Sequence, residues 1–217
     1  MADIIDNPAP LFSLSDGAYR FARWGRPIAP VVFGVDDATL APLKSAISQT
    51  VAITGTRIEE TDPDTGANFM WFFCREWEEL RHVPNLDKLF RDFEFTMSAL
   101  EAEGAIRYRS FGFDPAGAIR LCVVFVRVDG ATAELPIQTL AVGETFQSLL
   151  TWADSAFDRV SPIAKIASNN MVIVKPEFAA ITRAAYDATM PDTASDRSHA
   201  LRLSARARLL WDALDDA

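Results

Sequence analysis

The chain reads as an α+β fold, with a mixed or mainly antiparallel sheet, packed helices and a helical C-terminal half. Three features predict it. Leu40, Leu43, Ile47 and Val51 recur at helical spacing. Residues 121–126 are apolar without interruption, as in a central strand buried on both faces. Beyond residue 136 the hydrophobic pattern is mostly helical.

Taken in order, residues 7–17 are rich in Pro, Ser and Asp and form an extended lead. Tyr19, Arg20, Phe21, Arg23, Trp24 and Arg26 then alternate aromatic with basic side chains before an apolar strand at 28–35. Asp36 or Asp37 caps the helix that carries Leu40 to Val51, and Gly55 closes it. A strand at 56–61, the turn Asp62-Pro63-Asp64-Thr65-Gly66 and an apolar strand at 68–74 carry the marks of a β-hairpin. Leu86, Leu89, Phe90, Phe93, Met97 and Leu100 share one helical face, with Gly104 as the stop. The clearest hairpin joins 106–113 to 119–128 through Asp114-Pro115-Ala116-Gly117. Past Pro136, Leu140, Phe146, Leu149 and Leu150 predict a buried helix, with 142–152 as the stretch that carries Glu144, and residues 171–174 a short strand. Helices at 177–186 and 197–214 complete the order, the last docking through Leu203, Ala207, Leu210 and Leu214.

A length of 217 residues fits a single domain: a lead over 1–18, a sheet-rich half over 19–135 and a mainly helical half over 136–217. Hydrophobic residues at 49% exceed what a disordered chain carries, while 24% charged residues suit a soluble surface. A net charge of -9 argues against nucleic acid as a partner, because phosphate binding needs a basic face. The one basic stretch, 197–208, reads as a solvated helix face. No apolar run reaches the ~18 residues of a membrane span, so no integral membrane segment is expected. Residues 1–10 hold acids and prolines where a signal peptide would be basic and then apolar. The expected location is cytoplasmic if Met1 is the true start, and periplasmic or cell-envelope if a signal was removed.

No glycine-rich phosphate cradle occurs, so no nucleotide cofactor is expected. With His82 and His199 the only histidines and Cys74 and Cys122 the only cysteines, no Cys/His zinc site and no metal is expected. The two cysteines are either a disulfide or two buried thiols, a choice that depends on a Cα separation sequence does not give. Asp196, Ser198 and His199 hold triad residue types, but neighbours on a helix point in different directions and do not form a nucleophile and base. Cys74 with His82 is a second pairing of reactive types; the apolar run before Cys74 favours an inert thiol. The aromatic and arginine residues at 19–26 read as a packed edge anchor around Trp24 rather than a stacking platform for an anionic ligand.

The segment Gly143-Glu144-Thr145-Phe146-Gln147 has the spacing of a zincin metal helix, in which two His one turn apart hold zinc and the Glu polarises water. Gly143 and Gln147 stand in the ligand places, and only the Glu is present. Together with Arg23-Trp24-Gly25-Arg26-Pro27, Thr54-Gly55, Gly66-Ala67-Asn68-Phe69, Gly117-Ala118-Ile119, Tyr186-Asp187 and Met190, this segment resembles an uncharacterised bacterial domain family of exported, zincin-like proteins. In that family the helix usually reads His or Glu, then Glu, two residues, His or Gln, then a Leu-Gly turn and an Asp. Here Leu150 replaces the Gly, and Asp154 matches the Asp. The resemblance implies a zincin-like fold with a degenerate metal motif, and places any active cleft beside Glu144.

These readings lead to a non-catalytic binding or interaction protein with a protein or peptide partner, using Glu144, Gln147 and Asp154 as ligand-binding candidates. A hydrolase using Glu144 with Asp154, or a metal held by acids alone, is the alternative; a cytosolic structural or regulatory protein is another. Glu144 and Gln147 are expected as a polar pair at the floor of a cleft, or as plain exposed helix residues, and Glu144 as dispensable for folding.

Overall fold

A computed structural model describes residues 3–130 and 134–215, except the side chains of Asp3, Leu214 and Asp215. The fold is α+β, built on a four-stranded mixed sheet in the order β2-β3-β5-β4. Here β2 is Pro30–Phe33, β3 Phe69–Cys74, β4 Arg107–Phe113 and β5 Ile119–Arg127. β2, β3 and β5 run parallel, whereas β4 closes the sheet as the antiparallel arm of the expected hairpin with β5. The apolar run at 121–126 therefore lies between two strands and is buried throughout. Small two-stranded elements flank this sheet. β1 (Phe21–Ala22) pairs with β8 (Thr193–Ala194), and β6 (Ile163–Lys165) pairs with β7 (Val172–Val174).

The period of two along β3 and β5 divides the core. Phe69, Trp71, Phe73, Cys122, Val124 and Val126 face one side, where α2 (Asp37–Val51), α5 (Ile137–Gln147), α6 (Pro176–Ala185) and α7 (Ser198–Asp215) pack. Phe72, Cys74, Leu121, Val123 and Phe125 face the other, beneath α3 (Glu78–Arg81), α4 (Phe93–Ala102) and Trp77. The α2 reading holds for the helix itself, while a 3₁₀ turn at Ala52–Thr54 stands between its end and Gly55. Asp36 accepts from the Thr39 amide at 2.8 Å, Leu43, Ile47 and Val51 are buried, and Gly55 adopts φ +72°. In α7, Leu203 and Ala207 are buried and Leu210 half-buried; the Leu214 side chain lies outside the described residues.

Four expectations need correction. The lead is packed rather than extended: after α1 (Asp3–Asp6), a 3₁₀ turn at Ala9–Phe12 buries Leu11 and leaves Phe12 without exposure. The hairpin of 56–61 with 68–74 does not form, because β3 is occupied on both sides by β2 and β5. Ile58 makes one isolated parallel bridge to Ile28 instead. The helix drawn through Leu86 starts only at Phe93. Asp92 accepts from the Phe95 amide at 3.0 Å and sets the start, with a 3₁₀ turn at Asp87–Leu89 before it.

The helix expected over 142–152 lies over Ile137–Gln147. Ser148 ends it, its hydroxyl donating back to the Glu144 carbonyl at 2.7 Å, and Leu150 then bridges to Arg23. The helix is buried over every residue from Leu140 to Phe146, as its apolar pattern predicts.

Candidate functional site

Because α5 crosses the sheet face at the β4 edge, it brings Glu144 to the arginines of that strand. Arg107, Arg109 and Phe111 pair with Val126, Val124 and Cys122 and so share the α5 face of the sheet. Arg107 Nη1 donates to Glu144 Oε1 at 2.9 Å, and Arg109 Nη2 to Oε2 at 2.6 Å. The Glu144 side chain is 5% exposed, against 43% for Arg107 and 18% for Arg109. Glu144 is thus neither an exposed helix residue nor a free carboxylate, since both of its oxygens are held by guanidinium groups. The same contacts give Glu144 a structural part to play beside any part in a site. Its removal would leave two cations, one of them mostly buried, without their acceptor.

Gln147 and Asp154 are brought together. They line an open depression of about 320 Å³ with Arg20, Arg109, Phe111, Thr151, Trp152, Ala153 and Phe157. Glu144 is not part of this lining and reaches the depression only through Arg109, which belongs to both. Arg20 is exposed and has no ion-pair partner among the described residues, so the depression presents an uncommitted cation beside aromatic walls. Arg109 also keeps a buried Nε without an acceptor. Thr151 and Trp152 are fixed from outside: the Ala22 amide donates to Thr151 Oγ1 at 2.8 Å, and Trp152 stacks between Phe12 and Phe146 at 5.2 and 5.1 Å.

The chain matches no protein-family model, no curated protein and no solved structure.

The remaining candidates fall into place by burial. Cys74 and Cys122 lie on adjacent strands, but Cys122 registers with Phe69 and faces the α5 side, while Cys74 faces α4. Their side chains leave opposite faces of the sheet five residues apart, so no disulfide joins them, and both are free and buried. Burial pushes each thiol up to about 12, which leaves neither as a thiolate nucleophile near neutral pH. His82 is 78% exposed and lies near Glu78, whereas Cys74 is buried. Asp196 accepts from the Ser198 amide at 2.7 Å, whereas His199 is buried against Tyr19, so these three form no triad.

Trp24 is a full core residue, 2% exposed, whose Nε1 donates to the Ser148 carbonyl at 2.8 Å and thereby secures the end of α5. Among the described residues no three His, Cys, Asp or Glu side chains converge as a metal site. No described helix is long and apolar enough to cross a membrane.

The arginines are the part that sequence reading missed. Their signal is Arg107-Tyr108-Arg109, two cations at the strand period on a strand whose neighbour is apolar without interruption over 121–126. Such a pair, aimed at a core face, calls for a buried anion.

Proposed function

We propose that this protein is a non-catalytic binding protein on a degenerate metallopeptidase-like fold, and that the depression at the end of α5 receives an acidic group of a peptide partner. One observation carries the reading: the Glu144 carboxylate is consumed by Arg107 and Arg109, where a general base would need an oxygen free to take a proton. The places one turn apart that would hold metal contain Gly143 and Gln147, neither with an imidazole. The polar groups left open to solvent, Arg20, Gln147 and Asp154, suit recognition, with Arg20 as the anchor for a carboxylate and Trp152 and Phe157 as apolar walls.

Two pools of short peptides, one containing Asp and Glu and one of matched neutral sequence, test this by titration at pH 7 with tryptophan fluorescence as the readout. Saturable binding of the acidic pool, weakened in Arg20→Ala and without any cleavage product, is expected. Cleavage that survives dialysis against chelator, or equal binding of both pools, overturns the reading. Elemental analysis of the same dialysed sample is expected to show no stoichiometric zinc.

A further inference from the structure

The N-terminal lead continues through β1 to Ala22, and besides the pairing of β1 with β8 it is tied to the molecule at two places that differ in chemistry. Toward the loop after α5 it is held by neutral bonds. The Ala153 amide donates to the Leu11 carbonyl at 2.8 Å, the Thr151 amide to the Ala22 carbonyl at 3.0 Å, and Phe12 stacks on Trp152. Thr151, Trp152 and Ala153, with Arg20 of the lead itself, form one wall of the depression. Toward α7 the lead is held by Tyr19, whose hydroxyl lies 2.7 Å from His199 Nδ1, and by Asp6, which pairs with Arg208 and accepts from Ser204 Oγ through its carbonyl.

His199 is the unusual member of this set. It has no solvent exposure, its ring lies 4.2 Å from that of Phe21, and its Nε2 is buried without a partner. A neutral ring tolerates an unpartnered Nε2 in that setting; a second proton on the ring would add a buried charge, with no acceptor at Nε2 to meet it. Tyr19 from the lead is the titratable group in contact with it, and Phe21 offers only hydrocarbon. On α7 itself Arg202 adds further positive charge. Asp196 and Asp6, the acids that meet this end of α7 in the contacts above, are engaged on the Ser198 amide and on Arg208.

We propose that His199 is an acid-sensitive latch: its protonation releases the N-terminal lead from α7 and loosens the wall of the binding depression. The link to ligand rests on the binding reading above; the opening of the lead does not. Burial, and then Arg202, push the His199 titration down to about 4, so the latch is closed at neutral pH and yields under acid.

The test uses the full chain without ligand. Imidazole resonances of His199 and of exposed His82 are followed by NMR from pH 7 to 3.5, beside the amide protection factors of Leu14, Arg20 and Ala22, whose N–H groups bond within the lead or to Thr151. Protection of these amides should fall about ten-fold per pH unit between about 6.5 and 4, with the core amides of β5 unchanged. In His199→Phe the fall should vanish, while Tyr19→Phe, which keeps the imidazole, should retain it. Protection that does not change as His199 titrates, or that falls equally in His199→Phe, overturns the latch. If His199→Phe does not fold, Tyr19→Phe and the wild-type titration still decide. Failure of the acidic peptides to bind at pH 7 would remove the ligand link alone.

Discussion

Glu144 accepts from two arginines that differ in exposure, and this sets what a substitution there should cost. The Arg107 half, 43% exposed, is screened by water and worth little. The Arg109 half is mostly buried, and its loss leaves a guanidinium facing the core face of the sheet. Glu144→Gln keeps one acceptor oxygen and should lower stability by about 1–3 kcal/mol in chemical denaturation. An unchanged midpoint would show that water replaces the carboxylate fully. At this scale the sequence placed Glu144 and Gln147 on one helix, and the structure sets Gln147 and Asp154 in one depression. The sequence did not reveal the pairing, because nothing in Gly143-Glu144-Thr145 says which strand lies across from it. That information sits 35 residues upstream, in the Arg109 to Glu144 separation, and becomes visible only through the β4 to β5 register.

Elements whose signals are local were legible, and those decided by competition were not. The hairpin of β4 and β5 and the helix α2 carry their own turns and caps, Asp114 to Gly117 and Asp36 to Gly55, so no distant partner is needed to place them. The segment 56–61 has strand character but loses the edge of β3 to β2, a choice made by parallel pairing that sequence does not display. β2 itself ends where Gly34 adopts φ +82°, and an added Cβ there would stand 2.0 Å from the Phe73 carbonyl oxygen. The close approach lets the chain leave the sheet edge and turn into α2. Gly34→Ala should therefore cost about 2 kcal/mol or more, from both the left-handed backbone and the clash with β3. Thermal unfolding and amide exchange in β2 would check it. A variant as stable as wild type would mean that the 34–36 connection relaxes without disturbing the strand.

For the molecule as a whole, the lead and α7 join opposite ends of the chain, and His199 at their junction gives stability a predictable dependence on pH. The residue was legible as a titratable type but not as a buried one, since the contact to Tyr19 spans 180 positions. A histidine titrating at about 4 in the native state and near 6.5 when unfolded takes up its proton first in the unfolded chain. Its contribution is therefore complete above about pH 6.5, declines as pH falls toward 4 and levels off below, a total of about 3 kcal/mol. Asp187 works in a lower window. Thr189 first, and then Arg206, hold its carboxyl down at about 2, so its contribution is present above the ordinary 3.8 and lost as pH falls through 2. Between pH 6.5 and 4 the histidine is thus separable from this carboxylate. Urea midpoints at pH 7, 5.5 and 4.5 should fall steadily in the wild type and remain nearly level in His199→Phe, with the m-value unchanged in both. Parallel declines in the two proteins would assign the acid sensitivity to the carboxylates and to overall charge, and would leave His199 as a packing residue.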